Sequence, residues 1–281
     1  MGVVQAARRP VTWLTALVLF VAAGCGDSAP QSDSQPTADG GSAPVITPVV
    51  LAQTPHDPEA WTQGLEFDGP ALWEGTGIAG ASQVRELDPA TGAVLRAAPA
   101  PHNYYGEGIT VVGDRIWQLT WRDGVAVEWD KATLTPVREV PVDGEGWGLC
   151  HDDHPDRDRF VRSDGTDRLR FHDPVTFAET GSVAVTRDGV PQTSLNELEC
   201  VDGRVWANVW KTDMIVRIDP ATGHVDTVVN AAGLWPGRAG DSDRVLNGIA
   251  HIGGDEYLLT GKKWPSMYRV RLDAPAGGPS R

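Results

Sequence analysis

The residues best suited to chemistry stand at recurring positions along the chain, each beside a short apolar segment. Glu107 supplies a carboxylate and Lys262 an ammonium group, which together could move a proton and stabilise a developing charge. Amides and indole rings occupy comparable positions at Gln63, Asn196, Asn247, Trp61, Trp121, Trp147 and Trp210. If the fold brings these groups together, they could bind a small polar ligand and transfer protons within it.

The spacing of these residues follows a repeat. Five similar segments each contain an aliphatic residue, and these residues lie 44, 40, 49 and 51 positions apart, at Leu65, Ile109, Leu149, Leu198 and Ile249. A second apolar segment follows each one. Four units then carry an Asp turn, as in Asp88-Pro89-Ala90-Thr91-Gly92, where proline and glycine favour a hairpin. Repeats of about 40–50 residues are typical of β-propellers.

The repeat predicts an all-β fold, a five-bladed β-propeller with four strands in each blade. Outer strands are expected, for example, at residues 137–142 and 181–185. The fifth unit ends near Leu272 after three strands, so we expect the N-terminal strand at 46–53 to close the ring as the outer strand of blade five. The residues that begin the inner strands should then meet at one mouth of the central channel. Four recurring tryptophans are predicted to be blade core: Trp73, Trp117, Trp129 and Trp206.

The residues before the repeat are predicted to be a targeting signal and a tether. Arg8 and Arg9 precede an apolar run at 11–23, which is too short to span a bilayer comfortably. Cys25 then follows small residues, as in a bacterial lipoprotein processing box, where it would be lipidated; a plain cleaved signal peptide is the alternative, and either one exports the domain. The predicted organisation is a signal peptide at 1–25, a flexible linker at 26–44, a propeller catalytic domain at 45–272 and a disordered tail at 273–281.

Charge and cysteine usage limit the partners. With 24 Lys and Arg against 38 Asp and Glu, the net charge of −14 argues against nucleic-acid binding. Membrane contact is expected only through the lipid anchor, and a monomer is the default expectation. Cys150 and Cys200 could form a disulfide in an oxidising compartment or remain two buried thiols.

A metal site is not expected. His151-Asp152-Asp153-His154 contains metal-ligating residue types, but no third ligand stands at a readable spacing, so an exposed loop is favoured. Phosphate-binding and dinucleotide-binding glycine loops are also missing from the sequence. We therefore predict neither a metal nor a cofactor.

Short motifs accompany the repeat from His56-Asp57-Pro58 to Tyr268. They are Thr62-Gln63-Gly64-Leu65, Gly106-Glu107-Gly108-Ile109-Thr110, Gln118-Leu119-Thr120-Trp121, Glu145-Gly146-Trp147-Gly148-Leu149, Ser163-Asp164-Gly165, Leu195-Asn196-Glu197-Leu198-Glu199, Ala207-Asn208-Val209-Trp210, Val245-Leu246-Asn247-Gly248-Ile249-Ala250 and Thr260-Gly261-Lys262-Lys263-Trp264-Pro265. In this order, they resemble the plant and bacterial glutamine cyclotransferases. The resemblance implies an enzyme that acts on peptides or proteins with an N-terminal glutamine, whose α-amine attacks its own γ-carboxamide to give pyroglutamate and ammonia.

The resemblance also implies roles for the site residues. Glu107 would shuttle the proton, and Lys262, Asn196 and Gln63 would bind the substrate and hold the developing oxyanion. Four tryptophans would wall the pocket: Trp61, Trp121, Trp147 and Trp210. Position 61 departs from the family, which usually has Phe there. Three other carboxylates, Glu145, Glu197 and Glu199, are rivals to Glu107 or buried partners of Lys262.

Two other functions compete with this one. A non-catalytic propeller could bind a peptide or a cell-wall component at the same mouth, although it would not need Glu107 and Lys262 together. A metal-dependent, lactonase-like hydrolase could use Glu107, Asn196 and Asn247 as ligands and would be sensitive to chelators. A WD-type scaffold is disfavoured because Gly-His and Trp-Asp pairs do not recur from one unit of the repeat to the next. The zinc-dependent animal-type glutaminyl cyclases have an α/β fold, which this sequence does not match.

Overall fold

The repeat folds into a ring of twisted sheets. The structure is a computed structural model, and it describes Gly2 and residues 42–238 and 241–273. Two N-terminal strands, β1 (Val45–Ile46) and β2 (Val49–Pro55), come first. Blade one contains β3 (Thr62–Asp68), β4 (Ala71–Thr76), β5 (Gln83–Leu87) and β6 (Val94–Pro99), and blade two contains β7 (Gly106–Val112), β8 (Arg115–Thr120), β9 (Val125–Asp130) and β10 (Thr135–Pro141). Blade three contains β11 (Leu149–Asp152), β12 (Arg159–Ser163), β13 (Arg168–His172) and β14 (Glu179–Ala184), and a short hairpin of β15 (Thr186–Arg187) and β16 (Val190–Pro191) follows it. Blade four contains β17 (Leu195–Val201), β18 (Arg204–Val209), β19 (Met214–Ile218) and β20 (Val225–Asn230), and blade five contains β21 (Leu246–Gly253), β22 (Glu256–Gly261) and β23 (Ser266–Arg271).

The all-β, five-bladed propeller predicted from the repeat is confirmed. Each blade is an antiparallel sheet, and β2 pairs with β23 to complete blade five, as the sequence predicts. The described strands all belong to one unit, Gly40–Arg281. Helical structure in the described part of the chain includes the 3₁₀ turns Pro101–Asn103 and Pro236–Arg238, and no helix there is long and apolar enough to cross a membrane.

The N-terminal strand differs from its prediction because it is divided in two. Pro48, which has no backbone N–H, separates β1 from β2. β1 pairs in parallel with β20 and adds a fifth strand to blade four, with Val45 opposite Val228. The contacts begin before this strand, because Ala43, within the segment predicted to be a linker, is buried and donates its N–H to Asp188 Oδ1 at 2.9 Å.

The four tryptophans predicted as blade core are buried, as expected. Trp73 and Trp129 pack in one cluster between blades one and two, and Trp117 stacks on Phe177 between blades two and three. Trp206 contacts Tyr257 between blades four and five. The tryptophans therefore bury apolar area between neighbouring blades, where it stabilises the ring most directly.

A buried charge cluster explains the His56-Asp57-Pro58 motif. Glu74 of β4 receives hydrogen bonds from Thr62 at 2.7 Å and Arg85 at 2.8 Å, and it lies 3.0 Å from His56 Nε2. Burial alone would raise the pKa of Glu74, but the charges of His56 and Arg85 lower it to about 2. His56 also bonds to the carbonyl of Trp264 at 2.8 Å, so the cluster ties the end of β2 to blades one and five.

Cys150 and Cys200 form a disulfide, which the sequence left open. Cys150 lies in β11 and Cys200 in β17, so the bond joins the inner strands of blades three and four. Both strands begin next to candidate site residues, Trp147 and Asn196. The cross-link therefore holds the inner strands of blades three and four together.

Buried carboxyl groups satisfy backbone donors along the inner strands. Glu66, Glu197 and Glu199 accept hydrogen bonds from the backbone N–H groups of Val111, Leu65 and His251 at 3.1, 3.3 and 2.7 Å. Burial raises the pKa of Glu66 to about 8 and raises the pKa values of Glu197 and Glu199 well above the usual range. Each bond joins the inner strands of two different blades, so Glu197 and Glu199 link the ring and are not partners of Lys262.

These raised pKa values predict a fold that loses stability as the pH rises. From about pH 4.5 upward the folded state holds more protons than the unfolded chain, so the free energy of unfolding falls as the pH rises. For Glu66 this window extends to about pH 8. We expect Glu199→Gln, whose amide oxygen still accepts the His251 N–H, to raise Tm at pH 8 by about 2–4 °C per kcal/mol recovered. At pH 4 we expect no change. Scanning calorimetry at both values checks this, and an equal gain at pH 4 would show that titration is not the cause.

Candidate active site

The mouth of the channel contains a pocket of about 210 Å³. All eight residues predicted for catalysis and substrate binding line it: Trp61, Gln63, Glu107, Trp121, Trp147, Asn196, Trp210 and Lys262. Gln63, Glu107 and Asn196 are each the second residue of an inner strand, whereas Trp121, Trp210 and Lys262 follow the last residues of β8, β18 and β22. Five blades therefore converge on one cavity. The predicted lipidation residue, Cys25, lies outside the described residues.

Bulges in the inner strands turn the site residues toward the cavity. The register with the second strand shifts between Thr62 and Gly64, Gly106 and Ile109, Leu195 and Leu198, and Leu246 and Ile249. An unpaired residue at a bulge can direct its side chain away from the pleat. Four of the five inner strands thus carry the same irregularity at the position from which Gln63, Glu107, Asn196 or Asn247 projects.

Glycine after Glu107 allows the inner strands to approach closely. A Cβ at Gly108 would lie 2.6 Å from the carbonyl oxygen of Trp147, and the Gly108 N–H donates to that same oxygen at 2.7 Å. Two other motif residues bond across blades, because Ser163 Oγ donates to the carbonyl of Asn196 at 2.6 Å and Asn208 Oδ1 accepts the N–H of Gly248 at 2.9 Å. The motifs therefore encode the spacing of the blades around the pocket as well as its chemistry.

Glu107 and Lys262 are both buried, with 6% and 7% of their surface exposed. Burial raises the pKa of Glu107 to about 8, because the opposing effect of Lys262 is incomplete and the charge of Glu145 adds to the rise. Burial likewise lowers the pKa of Lys262, against the effect of Glu107. The pKa of Glu107 is thus shifted toward neutral pH, which suits a group that must both accept and donate a proton.

Glu145, a rival to Glu107 in the sequence, holds the walls of the pocket. Its carboxylate accepts the indole N–H of Trp121 at 2.7 Å, the indole N–H of Trp147 at 3.0 Å and the Arg122 Nε–H at 2.8 Å. Trp147 in turn meets Trp210 edge to face, with ring centroids 5.3 Å apart. The indole N–H groups of Trp121 and Trp147 are thus both hydrogen-bonded to Glu145, so these two walls offer a ligand apolar surface.

Two amide side chains line the pocket: that of Gln63 is held by hydrogen bonds, whereas that of Asn196 has an acceptor atom without a partner among the described residues. Gln63 Nε2 donates to Glu107 Oε1 at 3.0 Å, and Asn247 Nδ2 donates to Gln63 Oε1 at 3.4 Å and to the carbonyl of Thr62 at 2.9 Å. Gln63 therefore orients the carboxyl of Glu107. By contrast, Asn196 Oδ1 is buried and receives no hydrogen bond within the part of the chain that the structure describes. A buried acceptor without a donor is ready for one on a ligand.

Sequence reasoning missed five residues that also line the pocket: Tyr105, Lys211, Ser242, Asp243 and Val245. One of them had a signal in the repeat. Tyr105 stands two residues before Glu107, as Trp61 stands two residues before Gln63. Comparing the blades at this offset would have identified both aromatic residues.

The His151–His154 segment is only partly the exposed loop that was expected, because Asp153 is exposed after β11 ends but the two residues before it are not in a loop. His151 and Asp152 are the last residues of β11, and Asp152 is buried and accepts hydrogen bonds from Arg157 at 3.0 Å and Arg159 at 3.1 Å. The carboxylate of Asp152 is thus paired with two arginines. Over the described ranges, no group of three or more His, Cys, Asp or Glu side chains is placed to hold a metal ion.

Known proteins share both the sequence and the fold. The family model for glutamine cyclotransferase matches residues 17–272. A curated glutaminyl-peptide cyclotransferase of Arabidopsis thaliana is 38% identical over 229 residues, which cover 79% of this chain and 70% of that protein. The crystal structure of Myxococcus xanthus glutaminyl cyclase superposes with a TM-score of 0.76 at 35% identity, over 83% of this chain and all of that one.

The match of the family model extends over both the propeller and the pocket residues that five blades bring together. On this ground, the chain belongs to the glutamine cyclotransferase family.

Proposed function

We propose that this protein is a glutaminyl-peptide cyclotransferase, which converts the N-terminal glutamine of peptides and proteins to pyroglutamate and releases ammonia. The observation that carries the proposal is Glu107, a carboxyl with a pKa raised to about 8, in a pocket of about 210 Å³ that the buried Lys262 also lines. That volume lies below the roughly 300–1,000 Å³ of pockets for drug-sized ligands, so it suits one amino-acid residue. The named relatives support the same reaction.

The reaction needs a folded-back side chain and one proton shuttle. The α-amine of the bound glutamine attacks the carbonyl carbon of its own γ-carboxamide, and Glu107 accepts the proton that this nitrogen loses. Glu107 then donates the proton to the amide nitrogen, the bond from that nitrogen to carbon breaks, and ammonia leaves. Because the attack is intramolecular, holding the glutamine in the reactive geometry supplies much of the rate.

The other pocket residues bind, orient and exclude water. The orphan Oδ1 of Asn196 would accept an N–H of the substrate, and Lys262 would stabilise the negative charge that develops on the carboxamide oxygen. Trp61, Trp147 and Trp210 would pack on the glutamine side chain and keep water from competing with the amine. None of these steps requires a metal, and we propose metal-independent chemistry.

The test is ammonia release by the purified protein from a peptide with an N-terminal glutamine, with mass spectrometry of the product. We expect the peptide to lose one ammonia, at the same rate with and without EDTA. A peptide with N-acetylated glutamine is the matched control, since its blocked amine cannot attack. A folded protein that leaves the free-amine peptide unchanged would instead support the peptide-binding propeller, and inhibition by EDTA would refute metal independence.

We also propose that the chain is exported and anchored through a lipid on Cys25. Cleavage before Cys25 would remove the signal peptide and leave Cys25 as the first residue of the mature chain, followed by a linker up to residue 44, with the enzyme active as a monomer. The support is the small-residue run that ends at Cys25 in the sequence. Mass spectrometry of the N-terminal peptide of the mature protein should find a diacylglyceryl group on Cys25. An unmodified N-terminus after a different cleavage site would indicate a plain signal peptide.

A further inference from the structure

Tyr105 places a hydroxyl group in the pocket that none of the proposed steps uses. Its side chain lines the cavity, and its ring packs against Trp121 with centroids 5.5 Å apart. Gly77 makes room for it, because a Cβ there would lie 2.7 Å from Tyr105 Cε1 and 2.8 Å from Gln63 Nε2. Tyr105 and Gln63 therefore share one side of the site.

The hydroxyl belongs to a half-buried side chain. Burial and the charge of Glu107 raise the pKa of Tyr105 to about 12, against the opposing effects of Gln63, Trp61 and the Ile78 backbone. The group thus stays protonated at any pH at which the enzyme would work. Among residues 42–238 and 241–273, no oxygen accepts a hydrogen bond from it. Its proton is free to meet an acceptor on a ligand.

The acceptor that such a ligand offers is the carboxamide oxygen, which gains negative charge when the amine attacks. We propose that the Tyr105 hydroxyl donates a hydrogen bond to this oxygen and is, with Lys262, a catalytic residue of the reaction. This inference rests on the proposed function. Packing of the ring against Trp121 and the close approach of Gly77 fix the side chain at the cavity wall, so the donor is positioned before the charge develops, which is the condition for effective stabilisation of an oxyanion.

Tyr105→Phe tests the proposal, because it removes the hydroxyl and keeps the ring against Trp121. Loss of one oxyanion donor lowers kcat by about 10²- to 10³-fold. We expect a fall of that order for a glutaminyl peptide, with KM changed by less than about threefold, since the bond strengthens only as the transition state forms. Tyr104→Phe is the matched control, because Tyr104 donates to Glu139 at 3.0 Å and does not line the pocket.

A third variant separates the hydroxyl from the packing. Incorporation of 3-fluorotyrosine at position 105 keeps the donor and should retain kcat within about tenfold of the wild type, whereas Tyr105→Phe should not. An unchanged kcat in Tyr105→Phe would overturn the assignment, and so would a rise in KM alone, which indicates ground-state binding. Absence of turnover by the wild-type protein would overturn the proposed function and this assignment together. The two failures are distinguishable, because a failure of the Tyr105 assignment alone leaves the wild-type protein active.

Discussion

Glu107→Gln is expected to lower kcat for a glutaminyl peptide by about 10²- to 10⁴-fold, the range for loss of a general acid–base group. The amide has the shape of the carboxyl, and its oxygen can still accept the hydrogen bond from Gln63 Nε2. However, it can neither take the proton from the attacking amine nor return it to the leaving nitrogen. The measurement is initial-rate ammonia release, with Glu139→Gln on the outer strand β10 as the control for loss of one carboxylate.

The pH dependence makes this prediction sharper. In the wild type, two groups must lose a proton before attack: the substrate amine, with a pKa of about 7.7–8.0, and Glu107, with a pKa of about 8. The logarithm of kcat/KM should therefore fall with a slope of two as the pH drops below this region. In Glu107→Gln the slope should be one, because only the amine still titrates. A variant that keeps more than about a tenth of the wild-type kcat, or the same slope, would remove Glu107 from the shuttle role.

Gly77→Ala is expected to lower kcat/KM by at least about 10²-fold without unfolding the protein, since a misplacement of about 1 Å can cost that much. The new methyl group would lie within 2.8 Å of Gln63 Nε2 and within 2.7 Å of the Tyr105 ring. Both side chains must move toward the cavity, and the Gln63 bond that orients Glu107 is lost. The far end of a side chain can move more cheaply than backbone, so the main effect falls on activity.

The control for Gly77→Ala is Gly233→Ala, where a Cβ would meet no atom within 4 Å. Steady-state kinetics and thermal unfolding of both variants separate the two effects. We expect Gly233→Ala to match the wild type in both assays. If Gly77→Ala retains kcat/KM within about threefold, the geometry of Gln63 and Glu107 is less constrained than the contacts indicate.

The ring and its pocket were predictable because the information repeats along the chain. The spacing of Leu65, Ile109 and Leu149 defines the blades, and the residue two positions before each one marks the channel mouth. The strand near Val49 lies outside the repeat and the fifth unit has only three strands, so the sequence predicts that this strand completes the fifth blade. In each case a local pattern carries the signal.

Other features depend on distances between segments that no repeat relates. The Cys150–Cys200 disulfide requires two inner strands to bring their Cα atoms within 5.5 Å, which only the assembled ring determines. The role of Glu145 depends on where two indole N–H groups point, and the burial of Asp152 depends on arginines that reach back to it. β1 joins blade four because Val45 lies beside Val228, a neighbour far away in the sequence.

The pairing of β2 with β23 also sets the order in which the molecule can be completed. β2 is synthesised first among the strands of blade five, but its partner, Ser266–Arg271, is synthesised last. Until then β2 is an open edge, and Val49, Val50 and Leu51 remain 42%, 50% and 41% exposed even in the folded protein. An apolar strand that remains unpaired until four further blades have been synthesised is prone to pair with other chains. Ring closure thus acts as a check of completeness, since a nascent or truncated chain lacking Ser266–Arg271 cannot form it.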